Sequence, residues 1–328
     1  MKDNRLNWAV IGCGVIANEM AQGLRKMGRE LYSVANRTYE KAVAFAEKYG
    51  VKKVYASIDE VFADPNVDII YITTPHNTHY GYMKAALENG KHILVEKSIT
   101  LNSRELDEMT LLAKEKNLII GEAMTIWHMP LYKKLWDIVK SGELGKVQLI
   151  TMNFGSFKEY DMNNRFFNMN LAGGAMLDIG VYALSVVRSF MDEKPEEIVS
   201  QWKASPTGSD EMATVLLKNR VGQMATVALS IHSKQPKRAM ISCEKGYIEI
   251  MEYPRAESAF IVDAVTGEKR EIAVGKTCDA LYYELEDMEE AVRNNAPSLL
   301  HLQESCDVME IMTQLRKSWG MKYPEEVW

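Results

Sequence analysis

The fold of this chain is decided near its start, by the stretch Trp8-Ala9-Val10-Ile11-Gly12-Cys13-Gly14-Val15-Ile16-Ala17. Its first four residues are apolar and predict a buried strand, and Val15 to Met27 repeats apolar side chains at the spacing of one helical face. Gly12 permits the tight turn between strand and helix, and Gly14 lets a ligand approach the backbone closely. This arrangement indicates a dinucleotide-binding loop, with the diphosphate at the helix N-terminus.

Glycines alone also fit a purely structural strand-to-helix turn, so the context decides between the two interpretations. Here a strand precedes the glycines, a helix follows them and further strand–helix units continue beyond. The small Ala17 allows the close helix–strand packing that the dinucleotide fingerprint requires. We therefore expect a nicotinamide dinucleotide to contact Gly12, Cys13, Gly14, Val15, Ile16 and Ala17.

The first 120 residues alternate short apolar runs with amphipathic stretches. Strands separated by helices of this length predict a parallel sheet with right-handed crossovers, so we expect a doubly wound Rossmann domain over residues 1–122. The predicted strands are Trp8–Ile11, Leu31–Ala35, Val67–Thr73, His92–Val95 and Leu118–Ile120.

After about Pro130 the pattern changes to strand-like segments joined by short turns. Consecutive strands of this kind predict a large, mainly antiparallel sheet, and the chain closes with two helical patterns. We expect residues 123–328 to form an α+β domain for substrate binding and dimerisation, with helices flanking its sheet. The predicted fold class is therefore α/β followed by α+β.

Composition and charge narrow the class of protein. With 328 residues the chain suits about two domains of ~150 residues each. The 39 Lys and Arg against 45 Asp and Glu give a net charge of -6, which argues against a nucleic-acid partner. Four widely spaced cysteines, strand-length apolar runs and no signal-peptide pattern predict a cytoplasmic protein with reduced thiols and no membrane partner.

The end of the second strand predicts which dinucleotide binds. A site for NAD usually places an acidic residue there, to accept hydrogen bonds from the ribose hydroxyls. Here Asn36, Arg37 and Thr38 follow the strand, and no acid is present. Arg37 can pair with a 2′-phosphate, so NADP is favoured and NAD remains possible. The alternative is that Arg37 is only a solvated residue at the start of a helix.

Four stretches, in this order and spacing, resemble the Gfo/Idh/MocA oxidoreductase family over nearly the whole chain. They are the Gly12 loop, Thr73-Thr74-Pro75-His76-Asn77-Thr78-His79, Glu96-Lys97-Ser98 and Gly173-Gly174-Ala175-Met176-Leu177-Asp178-Ile179-Gly180-Val181-Tyr182. The family usually has proline where this chain has Ser98. Tyr at position 182 resembles the Tyr-type subgroup that includes the dimeric dihydrodiol dehydrogenases.

The resemblance implies roles for three residues. Tyr182 would be the acid/base that exchanges the proton of a substrate hydroxyl, and Lys97 would lower its pKa. Asp178, four residues before Tyr182 in a stretch that reads as helical, would bind a substrate hydroxyl or orient the lysine. The alternatives are a solvated Lys97 at a strand end and an ordinary buried Tyr182.

The resemblance also implies further cofactor contacts, and a departure from it affects the substrate pocket. The implied contacts are Thr73, Thr74, Pro75, Asn77, His79, Glu96, Lys97 and Glu122. His76 and His79 alone make an incomplete metal site, so we expect no metal. Dihydrodiol dehydrogenases commonly place Trp and then Arg where this chain has Thr125 and Trp127. The expected pocket residues are instead Trp127, His128, Arg165, Phe166 and Phe167.

Together these observations predict an NADP-dependent oxidoreductase that transfers hydride between the nicotinamide and a secondary alcohol of a sugar, polyol or cyclic diol. The expected assembly is a homodimer, or a dimer of dimers, through the C-terminal sheet. Two alternatives stay open: an NAD-dependent glycosidase- or lyase-like enzyme on the same fold, and a non-catalytic dinucleotide-binding sensor. The presence of both Lys97 and Tyr182 favours an enzyme over a sensor.

Overall fold

The structure is a computed structural model that describes residues 5–326. The chain divides into unit 1, residues 5–100, 104–123 and 281–302, and unit 2, residues 101–103, 124–280 and 303–326. The helices, in chain order, are α1 (Val15–Lys26), α2 (Tyr39–Tyr49), α3 (Asp59–Ala63), α4 (His79–Glu88), α5 (Ser103–Lys116), α6 (Thr125–His128), α7 (Pro130–Lys140), α8 (Val181–Phe190), α9 (Ala280–Asn294) and α10 (Leu302–Ser318).

Unit 1 contains a six-stranded parallel sheet in the order β3-β2-β1-β4-β5-β6. Its strands are β1 (Trp8–Ile11), β2 (Ser33–Ala35), β3 (Lys53–Val54), β4 (Ile69–Ile72), β5 (His92–Glu96) and β6 (Ile120–Ala123). All four residues of β1 and of β4 are buried, as expected for strands covered on both faces. The strand order reverses between β1 and β4, and ligands of such sheets bind beyond the carboxyl ends of the strands at this point. The predicted Rossmann architecture is confirmed.

A late segment of the chain returns to unit 1, which corrects the single domain boundary predicted at residue 122. Trp8 Nε1 donates to Glu289 Oε1 at 3.1 Å. A Cβ on Gly23 of α1 would lie 2.9 Å from Leu285 Cδ1 of α9, so a glycine lets these two helices approach closely. The first of the two closing helical patterns of the sequence, at about Cys278 to Asn294, predicts α9 correctly, but it carries no information about which sheet the helix covers.

Unit 2 is built on an eight-stranded sheet in the order β14-β13-β12-β11-β7-β10-β9-β8. The strands are β7 (Val147–Gly155), β8 (Glu197–Ala204), β9 (Asp210–Lys218), β10 (Met224–Ser230), β11 (Gln235–Cys243), β12 (Gly246–Met251), β13 (Ser258–Asp263) and β14 (Lys269–Ala273). Within the described residues every neighbouring pair is antiparallel except β7 and β10. The predicted mainly antiparallel sheet is therefore confirmed.

One face of this sheet packs against α8, and the strands alternate accordingly. In β9, Ala213, Val215 and Leu217 are buried while the residues between them are exposed. The segment Met169–Phe190 that covers the sheet is apolar and long enough to cross a membrane, and it exceeds the strand-length runs expected from the sequence. Since 78% of its most apolar window is buried inside the protein, we assign it as a core helix.

Candidate active site

The glycine loop after β1 lies in close contact with Thr73, at the start of the loop after β4. Gly12 has φ +103° and its N–H donates to the Ala35 carbonyl at 2.9 Å. A Cβ on Gly12 would lie 2.7 Å from Thr73 Oγ1 and 2.8 Å from the Thr73 carbonyl oxygen. Thr73 in turn donates its N–H and its hydroxyl to the Ile11 carbonyl, at 2.9 and 3.0 Å. Gly12 is thus required by both backbone conformation and space.

The N-terminus of α1 has the properties of a diphosphate site. Gly14 is the N-cap, a Cβ there would meet no atom within 4 Å, and no side chain caps the helix. The first turn contains no acidic residue, and Val15 is 75% exposed. Uncapped N–H groups at the positive end of a helix dipole favour an anion. These features fit the diphosphate of a dinucleotide.

The other residues of the loop have different surroundings. Ala17 is fully buried and allows the predicted close packing of the helix on the sheet. Ile16 and Cys13 are half-buried, and burial raises the pKa of the Cys13 thiol to about 11. Cys13 therefore stays a neutral thiol at physiological pH and adds no negative charge beside a phosphate.

The residues after β2 leave a cation exposed where a 2′-phosphate would bind. Asn36 Nδ2 donates to the Thr38 carbonyl at 2.9 Å, which folds the segment into a short turn. Arg37 and Thr38 are both exposed. Thr38 occupies the N-cap position of α2, but its side chain makes no capping hydrogen bond. The hydroxyl of Thr38 and the guanidinium of Arg37 fit an NADP phosphate.

The loop after β4 is held by two histidines. His76 Nε2 lies 3.0 Å from the Lys97 carbonyl oxygen. His79 is fully buried, with Nε2 at 2.8 Å from the Thr74 carbonyl and Nδ1 at 3.0 Å from the Ser98 carbonyl, and burial lowers its pKa. His79 therefore fixes the loop from inside, which corrects its expected direct contact with the cofactor.

The remaining residues of this loop border the carboxyl edge of the sheet. The Thr74 and Thr78 hydroxyl groups lie 2.7 Å apart. Pro75 is exposed, whereas Thr73, Thr74 and Asn77 are half-buried. Their contact with a cofactor stays a prediction.

Lys97 follows β5 at the same edge of the sheet, and residues on both sides of it are held by hydrogen bonds. The peptide bond between Lys97 and Ser98 is cis. Glu122, at the end of β6, is buried and accepts a hydrogen bond from the Ile99 N–H at 3.1 Å. On the preceding residue, Glu96 Oε1 accepts a hydrogen bond from the Tyr71 hydroxyl. The sheet thus brings the Gly12 loop, Thr73, Lys97 and Glu122 to one edge.

In unit 2, Asp178 and Tyr182 lie at the start of the helix that covers the sheet. Residues Met176–Gly180 form a π-helical turn that continues into α8, a finding that replaces the plain helix expected here. Turns of this kind occur frequently at functional sites. Asp178 has a side chain that is 15% exposed, and its Oδ1 lies 3.7 Å from a guanidinium nitrogen of Arg165.

Tyr182 lies against aromatic side chains that the sequence did not connect with it. Its ring centroid is 6.5 Å from that of Phe154 on β7, and Phe154 is 5.9 Å from Tyr253 in an edge-on arrangement. Tyr253 is fully buried, and among the described residues its hydroxyl has no hydrogen-bond partner. No motif could have identified Tyr253, because it reaches this place from a turn 71 positions after Tyr182.

The predicted pocket residues divide into an exposed and a buried group. Arg165 is exposed, and its guanidinium lies 4.6 Å from the half-buried ring of Phe166. Trp127, His128 and Phe167 are fully buried, and Trp127 Nε1 donates to Ser305 Oγ at 3.3 Å. These three belong to the core of unit 2, which corrects their predicted place in the pocket. In a sequence, a large side chain near a motif cannot be told apart from a pocket residue. Its packing in the folded chain determines whether it lies in a pocket or in the core.

Within residues 5–326, no group of three or more His, Cys, Asp or Glu residues is arranged to hold a metal ion. The glycine loop at the strand-order reversal, with Lys97 and Glu122 at the same edge, defines the nicotinamide-dinucleotide-binding half of an oxidoreductase. The α+β unit supplies Asp178 and Tyr182, which are groups suited to a substrate hydroxyl. This is an NAD(P)-dependent oxidoreductase that acts on hydroxyl groups.

Comparison with known families identifies the protein more closely. Residues 6–124 match a family profile described as an oxidoreductase family with an NAD-binding Rossmann fold. Residues 132–249 match the GFO/IDH/MocA C-terminal domain. The chain belongs to the Gfo/Idh/MocA family, as its four motifs indicated.

Individual relatives agree with this assignment. A trans-1,2-dihydrobenzene-1,2-diol dehydrogenase of Mus musculus is 29% identical over 98% of this chain and 99% of its own length. Among solved structures, a levoglucosan dehydrogenase in complex with NADH and levoglucosan has a TM-score of 0.87 at 18% identity, covering 98% and 100% of the two chains. A 3-ketoreductase from Actinomadura kijaniata in complex with NADP and TDP-benzene has a TM-score of 0.84 at 19% identity, covering 95% and 97%. These two structures support the fold.

Proposed function

We propose that this protein is an NADP-preferring dehydrogenase or reductase of a secondary alcohol in a sugar, polyol or cyclic diol. The observation that carries the proposal is the half-buried Tyr182 at the start of α8, with Asp178 four residues before it and aromatic rings beside it. A phenol can exchange a proton with a hydroxyl and a carboxylate can accept a hydrogen bond from another, so this pair of side chains suits a hydroxylated ligand. The names of relatives that act on a dihydrodiol and on levoglucosan support the same substrate class.

In the proposed mechanism, the bound nicotinamide supplies the hydride acceptor or donor, and the protein positions the substrate and moves its proton. Tyr182 takes the hydroxyl proton during oxidation and returns it during reduction. A phenol with its usual pKa of ~10 is a weak base at neutral pH, and a nearby ammonium stabilises the phenolate. We assign that role to Lys97 from the family resemblance, since the structure describes Lys97 and Tyr182 in separate units.

Asp178 is proposed to accept a hydrogen bond from a second hydroxyl of the substrate. Its carboxylate lies 3.7 Å from the Arg165 guanidinium, which is too long for a direct hydrogen bond. Arg165 lies on an exposed loop, so it can move aside when a hydroxyl takes its place. A ligand with two adjacent hydroxyl groups would use both Tyr182 and Asp178.

The direct test is an activity panel followed by absorbance of the reduced cofactor. It contains sugars, inositols and diols, with trans-1,2-dihydrobenzene-1,2-diol and levoglucosan among them, each assayed with NADP and with NAD. We expect saturable turnover of at least one cyclic diol or sugar with NADP. Cofactor retained through purification without net turnover would contradict the proposal and support a lyase- or glycosidase-like reaction on this fold.

Replacing Arg37 by glutamate tests the preference for NADP. We expect NADP affinity to fall by about 10- to 100-fold, because a charge-assisted hydrogen bond is replaced by repulsion, while NAD affinity changes little. Titration calorimetry with each dinucleotide measures both constants. Lys52→Glu makes the same charge change at a side chain that is 87% exposed and serves as the control. Equal losses for NADP and NAD would show that Arg37 does not recognise the 2′-phosphate.

We also propose that the open face of the eight-stranded sheet pairs with the same face of a second copy. Val199, Leu216, Met224 and Leu149 are 63%, 47%, 45% and 38% exposed. The strand register places Val199 opposite Leu216 and Met224 opposite Leu149, so these side chains form rows on one face. A sheet face of this kind is typical of a surface covered in a homo-oligomer.

The double replacement Leu216→Glu and Met224→Glu is expected to produce a monomer. Burying two carboxylates in an apolar interface costs several kcal/mol, so the dissociation constant should rise by about 100-fold or more. Sedimentation velocity across a concentration series measures it. Val265→Glu, at a turn residue that is 93% exposed, is the matched control. A double variant with the wild-type association constant would locate the interface elsewhere.

We infer finally that the protein works in the cytoplasm, in the metabolism of carbohydrates or related diols. Within the described residues, Cys13, Cys243, Cys278 and Cys306 form no disulfide, which supports a reducing compartment. Fractionation of the cells that make the protein, followed by immunodetection, tests this inference. Recovery in a secreted or membrane fraction would overturn it.

A further inference from the structure

We propose that Asp210 is a positioning residue that holds the turn carrying Asp178 and Tyr182 in its reactive geometry. The inference rests on the proposed function, because it concerns the same two residues. Asp210 is the first residue of β9 and is fully buried. It lies 32 positions after Asp178 in the chain, outside all four of the family motifs.

The contact between Asp210 and the turn is direct. Asp210 Oδ2 accepts a hydrogen bond of 2.6 Å from the Met176 N–H, and Met176 is the first residue of the π-helical turn. Gly174, just before the turn, has φ +137°, and a Cβ on it would collide with Asp210 Oδ1. The carboxylate therefore satisfies an N–H at the start of the turn and occupies the space that a larger residue at 174 would need.

The C-terminal segment holds the same turn from another direction. The Tyr323 hydroxyl donates to the Gly173 carbonyl at 2.9 Å, and Tyr323 is fully buried. Tyr323 is fixed in turn by Glu326 Oε2, which accepts its N–H at 2.9 Å and forms a fully buried ion pair with Arg316 at 2.6 Å. The turn is thus anchored on both sides by polar groups that are themselves immobilised.

The buried surroundings of Asp210 change the pKa of its carboxyl group. Burial raises the pKa of Asp210 to about 7, against the opposing effects of the Met176 N–H and of Arg316 on α10. The other titratable group that faces it is Tyr323, whose pKa burial and Asp210 together hold well above its usual range. Because the pKa of Asp210 in the folded state exceeds the usual 3.8, protonation of Asp210 stabilises the folded state. This contribution to the free energy of unfolding is complete below pH 3.8 and is lost as the pH rises through 7.

At neutral pH Asp210 is therefore partly ionised, and its ionised form opposes folding relative to its protonated form. Ionisation does strengthen the hydrogen bond to Met176, since a carboxylate is a better acceptor than a carboxylic acid. The order of the turn should follow the ionised fraction of Asp210. Activity that depends on this turn should then show an acid limb near pH 7.

The test compares Asp210→Asn with Asp307→Asn. Asp307 on α10 pairs with Arg188 at 2.6 Å near the other end of α8, so its variant also removes a buried carboxylate that contacts α8 but leaves the turn intact. The probes are NADP and whichever cyclic diol or sugar of the panel is turned over. The readouts are kcat, KM, the pH profile of kcat and hydrogen exchange of the peptide 173–182.

For Asp210→Asn we expect kcat to fall by about 10- to 100-fold, because small misplacements of a reacting group have effects of this size. KM and NADP affinity should stay within about threefold, as expected when only the reactive geometry is disturbed. The acid limb near pH 7 should disappear, and exchange of 173–182 should accelerate. Asp307→Asn should keep kcat, the acid limb and the exchange of this peptide.

Two further variants keep the outcome decisive. Tyr323→Phe retains the buried ring and removes only the hydrogen bond to Gly173, so it should act in the same direction if Asp210→Asn does not fold. Tyr182→Phe independently tests the acid/base role of Tyr182 in the proposed function. If Tyr182→Phe is inactive while Asp210→Asn keeps wild-type kcat and acid limb, the positioning role alone is overturned. If Tyr182→Phe remains active, the acid/base role of Tyr182 fails, and unchanged exchange of 173–182 in Asp210→Asn would overturn the positioning role as well; absence of turnover in the wild-type panel is the result that contradicts the proposed function.

Discussion

Replacing Tyr182 by phenylalanine is expected to lower kcat by about 10²- to 10⁴-fold, which is the usual contribution of a general acid/base. The ring remains in place against Phe154, so folding and NADP affinity should not change. Stopped-flow or steady-state absorbance of the reduced cofactor measures kcat, and calorimetry measures NADP binding. Tyr80→Phe, which removes a hydroxyl bonded to Glu108 at 2.8 Å, is the control for the loss of a phenol elsewhere.

Lys97→Met provides the companion experiment. If the ammonium of Lys97 lowers the pKa of Tyr182, loss of the ammonium returns that pKa towards its usual value of ~10, so the phenolate forms only at higher pH. The variant should therefore be weakly active at neutral pH and should recover part of its oxidation rate as the pH is raised. A Lys97→Met enzyme with the wild-type pH profile would contradict the pairing, and an active Tyr182→Phe enzyme would remove the acid/base assignment.

Two alanine variants of the glycine loop should differ sharply from each other. Gly12→Ala puts a methyl group 2.7 Å from Thr73 Oγ1 and 2.8 Å from the Thr73 carbonyl, on a backbone with φ +103°. We expect a loss of about 1–3 kcal/mol from the backbone strain alone, with a further loss from the clash, and no measurable NADP binding. Thermal unfolding with and without NADP measures both effects, since a bound ligand raises the unfolding temperature.

Gly14→Ala is the matched variant, because its φ of -76° suits alanine and its Cβ would meet no protein atom within 4 Å. This variant should be as stable as the wild type in the absence of ligand. NADP affinity should nevertheless fall by about tenfold or more, because the methyl group stands where the diphosphate approaches the backbone. Wild-type NADP affinity in Gly14→Ala would show that the diphosphate does not bind at this helix N-terminus.

The parts of this fold that could be predicted are those with local signals. Strict apolar runs such as Trp8–Ile11 gave the buried parallel strands, and Gly12 with Gly14 located the loop at the reversal of strand order. The run Lys218-Asn219-Arg220-Val221-Gly222 is typical of a hairpin turn in the sequence, and the structure confirms a hairpin there between β9 and β10. Each of these signals lies within a few residues of the feature that it predicts.

What could not be predicted depends on contacts between distant parts of the chain. His79 and Trp127 lie in or beside motifs, but their burial is set by neighbours such as Ser98 and Ser305, which are 19 and 178 positions away. In the sequence, Asp210 has no feature that distinguishes it from other polar residues at the start of a strand. Its contact with Met176 is visible only in the folded chain. A sequence pattern identifies the residue types of a site more readily than the residues that orient them.

Because residues 281–302 belong to unit 1, the two units of this chain cannot be exchanged in a chimera by a single cut. Trp8 and Gly23 both depend on α9 for their packing, through Glu289 and Leu285. A chimera that transplants only the first 123 residues onto another catalytic half would leave an indole N–H without its acceptor and an apolar helix face open to water. Modular exchange of the dinucleotide-binding half therefore requires two cuts in the later part of the chain, around residues 280 and 302, as well as one at 123.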